Sequence, residues 1–125
     1  MWKRPRGGDR DRGRDRGQAA IEFAGLITLL LLVALAAIQL GIAAYAVQQA
    51  GTAARAAARA ETYRESHLTP QQAAKAATSS WLTVNVSPPS GSGSAVEVEA
   101  RVEIPSILPV FDFPEARRSV TMPRD

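Results

Sequence analysis

The sequence contains no cysteine and one histidine, His67, among 125 residues. Without thiols it can form no disulfide framework, no Cys-His nucleophile pair and no lipid attachment at a processed cysteine. A lone imidazole cannot build a structural zinc site either, so no metal or cofactor is expected, and His67 reads as a surface-loop residue. There is also no strained nucleophile motif and no glycine-rich phosphate loop. These absences exclude most familiar enzyme chemistries, and no enzyme is read here. At this length the chain holds one small domain at most.

A further absence is local. From Phe23 to Ala54 there is no Asp, Glu, Lys or Arg. The charge is concentrated before this stretch: residues 1–17 carry seven basic groups against three acidic ones, a balance of +4. Residues 18–125 hold eight basic and nine acidic groups, a balance of −1. The sequence pI near 10.0 is therefore a property of an N-terminal arm, which reads as a disordered Gly/Arg/Asp leader. Nucleic-acid binding through that arm would require the arm to be retained, and no nucleic-acid partner or small-molecule substrate is expected.

The apolar centre of the uncharged stretch, Phe23 to Tyr45, has membrane length. A helix needs roughly 20 apolar residues to cross about 30 Å of hydrocarbon. A secretory signal peptide also begins with a basic region, but its apolar core of roughly 7–15 residues is shorter than this run. The basic arm predicts a cytoplasmic N-terminus and an extracytoplasmic C-terminal part in a single-pass protein of the cell membrane.

Glu22 interrupts the pattern of Ala19-Ala20-Ile21-Glu22-Phe23-Ala24. A carboxylate beside hydrocarbon is costly and calls for a partner or a function. One reading is an interfacial carboxylate paired with Arg16. The other follows from spacing: a cut after Gly17 would create an α-amino group on Gln18, one helical turn from Glu22, where carboxylate and ammonium can compensate each other.

The junction Gly17-Gln18-Ala19-Ala20-Ile21-Glu22-Phe23 resembles the cleavage motif of Flp-class type IV prepilins. The continuation, a Leu-rich helix with Gly41 near its outer end and then Gln49-Ala50-Gly51-Thr52-Ala53-Ala54-Arg55-Ala56-Ala57-Ala58-Arg59, resembles the TadE-like minor pseudopilins of tight-adherence pili. The resemblance covers residues 16 to about 60. It implies cutting by a prepilin peptidase between Gly17 and Gln18, with Glu22 and Phe23 becoming mature positions five and six. It also implies membrane lipid and other pilins or pseudopilins as partners. The pattern departs at two positions: such helices often carry a Pro early in the span and an acidic residue near its outer third, where this chain has Thr28 and Gln39. The first change removes a possible kink. The second removes a charge, so any subunit contact made through that acid must differ here.

Beyond the span, helix formers continue through residue 64, giving one long helix over residues 18–66. Ala46, Ala50, Ala54 and Ala58 recur every four residues and allow close approach of another surface, either the protein's own sheet or a neighbouring helix. Thr69-Pro70-Gln71-Gln72 reads as a capping box opening a short helix to about Ser80. From Trp81 the period changes to alternation. Leu82, Val84 and Val86 share one face. After the loop SPPSGSGS, Val96, Val98, Ala100, Val102 and Ile104 share a face opposite Glu97, Glu99, Arg101 and Glu103, as in a half-buried hairpin with a loose connection. Ser119 to Met122 adds a possible third strand beyond Pro105, Pro109 and Pro114.

The expected architecture is α+β: leader 1–17, long helix 18–66 spanning the membrane at about 23–45, and a domain over 67–125 with a short helix and a two- or three-stranded antiparallel sheet. So small a sheet needs the helix extension as a packing partner. The function implied is a TadE-like structural component of a pilus or related secretion apparatus. The alternative is an unprocessed single-pass protein whose outer domain binds a partner.

Overall fold

A computed structural model describes residues 9–63 and 67–124. The element order is α1 (Asp9–Thr62), α2 (Pro70–Ala76), β1 (Val84–Val86), β2 (Ala95–Val102) and β3 (Ala116–Pro123). The described chain is α+β, with one helix long and apolar enough to cross a membrane. It divides into two compact units, one ending at Ala37 and the other starting at Ile38.

In the first unit α1 begins at Asp9, so residues 9–17 are helical where the sequence led us to expect an irregular leader. The apolar side chains Ile21, Phe23, Leu26, Leu29, Leu30, Leu31, Leu32 and Val33 are all exposed. Hydrocarbon is the environment that suits such a surface. Thr28, where a Pro was a possible alternative, does not interrupt the helix, and its hydroxyl donates to the Ala24 carbonyl at 2.8 Å.

In the second unit the rest of α1 carries a stripe of fully buried alanines: Ala46, Ala50, Ala53, Ala54, Ala57 and Ala58. They lie on one helical face and form a single hydrophobic cluster with Val84, Val96, Val98, Ala100, Val102 and Ala116 of the sheet. The stripe therefore meets the protein's own sheet. Small residues on the helix and branched residues on the strands fill one core.

The sheet order is β1-β2-β3, antiparallel throughout, with Val84 opposite Val102 and Val98 opposite Val120. β2 shows the expected alternation, with Val96, Val98, Ala100 and Val102 buried. The third strand is longer than expected, because Ala116, Arg117 and Arg118 continue the ladder against β2. The β1–β2 connection is held more firmly than its composition suggests. Ser87 N donates to Glu99 O at 2.9 Å, and Ser90 bridges to Glu97. Gly91, at φ +131°, makes this possible, since a Cβ there would stand 2.5 Å from the Ala95 carbonyl oxygen.

α2 opens with the expected capping box, in which Thr69 Oγ1 accepts from Gln72 N while Gln72 Oε1 accepts from Thr69 N. It ends at Ala76, four residues short of the expected Ser80. Gln71 then clips the outer edge of β1: its amide donates to Val84 O at 2.7 Å and accepts from Val86 N at 2.8 Å. This supplies the edge strand with the partners that a further strand would give. Ile104 falls outside β2 and is half-buried, and Leu82 packs into the core from a turn before β1.

Candidate functional site

Gly17, Gln18, Glu22 and Phe23 all lie within the unbroken run of α1 and are exposed. The helical spacing brings two of them together: Gln18 Nε2 donates to Glu22 Oε1 at 3.3 Å. Among the described residues the ion pairs are Arg101–Glu99 and Arg117–Glu115, so Glu22 is not held by Arg16. Glu22 instead reaches back to residue 18, where a cut after Gly17 would place a new amine. Phe23, 64% exposed, opens the apolar surface directly after the carboxylate.

A second feature escaped the sequence reading except as a departure from pattern. Gln39 is 2% exposed and, among the described residues, is the buried polar side chain. Its Nε2 donates to the Pro105 carbonyl at 3.0 Å, and its Oε1 accepts from Ile107 N at 2.8 Å. The neutral amide satisfies one backbone acceptor and one backbone donor at once, which a carboxylate cannot do. The only signal for it in the sequence was a polar side chain alone among apolar neighbours.

Further along α1, Tyr45 stacks on Trp81 with ring centroids 5.8 Å apart and planes 8° from parallel. The Tyr45 hydroxyl lies 2.6 Å from Ser79 Oγ. The helix segment expected to lie inside the membrane up to Tyr45 is thus engaged by its own domain from Gln39 onward.

The outward glutamates form no paired acid site. Glu99 Oε1 accepts from Arg101 Nε at 2.7 Å, and this bond with its accompanying charge raises the guanidinium pKa. Arg101 faces Arg117 across the β2–β3 ladder, so Glu99 and Glu115 offset two like charges. His67 is exposed. Among the described residues no group of acidic or imidazole side chains is arranged to hold a metal ion.

Residues 17–59 match the model of the TadE-like protein family. The match opens at Gly17 and closes at Arg59, so it takes in the Gln18–Glu22 contact, the bare apolar surface, Gln39 and the alanine stripe. This segment is thus similar to TadE-like proteins, and it contains the stretch of α1 that is long and apolar enough to cross a membrane. Nothing among curated proteins or solved structures matches the chain. α2 and the three strands lie outside the TadE-like segment.

Proposed function

We propose that this chain is a TadE-like minor pseudopilin, a structural part of a tight-adherence pilus or related secretion apparatus. α1 stores the subunit in the membrane with its N-terminus cytoplasmic and its sheet domain outside. A prepilin peptidase removes residues 1–17, leaving a 108-residue chain that begins at Gln18. Gly17 suits that step because glycine weakens a helix by about 1 kcal/mol relative to alanine, which eases local unwinding for the peptidase. The chain acts as a building block and carries no catalytic role.

The observation that supports this reading is the contact from residue 18 to Glu22. In a bundle of packed subunit helices an isolated carboxylate is costly to desolvate. An ammonium on Gln18, from the same or a neighbouring subunit, offsets that cost and sets the depth at which the helix enters the bundle. Before cutting, the Gln18 amide offers only a neutral donor, so the uncut chain lacks the compensating charge.

The test is the intact mass of the protein isolated from its native membrane. A chain beginning at Gln18 is expected. An intact leader in a normally assembled apparatus would overturn the processing step and favour an unprocessed anchor with a partner-binding outer domain.

A further inference from the structure

The loop between β2 and β3, residues 103–115, carries apolar side chains that the core does not use. Val110 is 84% exposed, Phe111 55% and Ile107 47%. In water this arrangement is unfavourable, since each such side chain gains about 1.5–3 kcal/mol on full burial.

Hydrogen bonds and a ring contact hold the loop locally around them. Ser106 Oγ lies 2.6 Å from Leu108 O and 2.7 Å from Phe111 O, and Phe111 N donates to Leu108 O at 3.1 Å. Phe113 packs against Phe111 at a centroid distance of 6.3 Å. Leu108 O, Phe111 O and Phe111 N are thus paired inside the loop while Ile107, Val110 and Phe111 leave their side chains exposed. That combination lowers the cost of entering a medium poor in hydrogen-bonding partners.

Gln39 fixes where this loop stands. Its two hydrogen bonds tie Pro105 and Ile107 to the turn of α1 that also carries exposed Ile38 and Leu40. Phe23 to Leu40 is 18 residues, about 27 Å of helix against roughly 30 Å of hydrocarbon. This turn therefore stands near one end of the apolar stretch, at about the depth of a bilayer boundary. The stacked Tyr45–Trp81 pair, half exposed, lies six residues beyond Gln39, or about 9 Å along the axis, where an aromatic belt at headgroup level belongs.

We infer that the 105–113 loop is a second membrane contact: Ile107, Val110 and Phe111 sit in the acyl–headgroup boundary of the leaflet on the C-terminal side of the span. Together with exposed Ile38 and Leu40 they form one apolar belt at this end of the apolar helical stretch. Asp112, the one charged side chain between Glu103 and Glu115, holds the loop at the interface and out of the hydrocarbon. A lipid boundary is favoured over a second protein copy because the loop is hydrogen-bonded to Gln39, on the turn of α1 that carries exposed Ile38 and Leu40 at the close of the uncharged apolar sequence. The inference rests on the membrane anchor and not on processing, so the mass measurement above and the test below fail independently.

The sequence has no cysteine, so single labelling sites are clean. Val110→Cys carries a nitrobenzoxadiazole probe in the full chain, reconstituted in phosphatidylcholine–phosphatidylglycerol vesicles. Thr121→Cys, exposed on β3, is the reference. The Val110 probe is expected to be quenched several-fold more strongly than the reference by lipids bearing a shallow nitroxide, and several-fold less by iodide present on both sides of the membrane. Equal iodide quenching at the two sites overturns the proposal, since the loop then stands in water. Protection from iodide without nitroxide quenching, varying with the protein-to-lipid ratio, also overturns it and identifies a second copy as the cover.

Discussion

Gln39 and Ile107, 68 residues apart in the chain, meet through a 2.8 Å hydrogen bond from the Ile107 backbone to the Gln39 side chain. The other end of the same amide donates to Pro105 O, so a single buried glutamine ties the β2–β3 loop to α1. Both contacts lie within the chain, so this buried position serves the protein's own outer domain.

Gln39→Leu leaves a buried backbone donor and acceptor unpaired and should destabilise the sheet domain by about 1–3 kcal/mol. Thermal unfolding in detergent micelles would show the loss, and limited proteolysis should cut first within residues 105–113. Gln39→Glu separates the two sides of the amide: an ionised carboxylate still accepts from Ile107 N but has nothing to donate to Pro105 O, so a loss of stability is expected here too. Stability equal to wild type in the Glu variant would contradict the two-sided amide role.

The alanine stripe permits a sharper comparison. Ala54 is fully buried against the sheet, so Ala54→Leu should overpack that seam and cost about 1–3 kcal/mol. Ala36 is exposed on the apolar part of α1, and Ala36→Leu should leave unfolding within about 0.5 kcal/mol of wild type. Leucine is nearly as good a helix former as alanine, so a difference between the variants reports packing. Trp81 fluorescence, followed through thermal unfolding, reads both.

The proposed assembly step separates two residues by phenotype. Gly17→Leu is expected to keep the full-length mass, because the peptidase loses the residue it cuts after. Glu22→Ala is expected to show the processed mass but to fail to enter the apparatus, with Glu22→Gln failing alike if charge is what matters. Membrane fractions analysed by mass and by co-purification with the other pilins distinguish these outcomes. Wild-type behaviour in both Gly17→Leu and Glu22→Ala would leave the Gln18–Glu22 pairing without a purpose.

The local features were legible because each is written within a few residues. Absence of charge from Phe23 to Ala54 determined an apolar helix, and the Thr69–Gln72 capping box determined where α2 starts. Two-residue alternation determined the buried face of β2. Spacing alone also put Glu22 one turn from Gln18, and the two side chains meet there. The helical start at Asp9 was hidden because Gly13, Gly17 and dense charge are weak helix formers in isolation, while an established helix propagates backward at low cost.

What only the tertiary structure decided was the partner of each surface. A four-residue repeat of alanines permits close approach, but burial against Val96, Val98 and Val102 is what selects the protein's own sheet over a neighbouring helix. Gln71 and Gln39 look like ordinary polar residues until the backbone groups they satisfy arrive from 13 to 68 positions away. The extent of β3 depended on β2 offering a full ladder, which propensity around Arg117 and Arg118 does not record. Periodicity specifies which face of an element is buried. Contacts between distant segments depend on how loop closure and packing balance across the whole chain, and no local pattern encodes that balance.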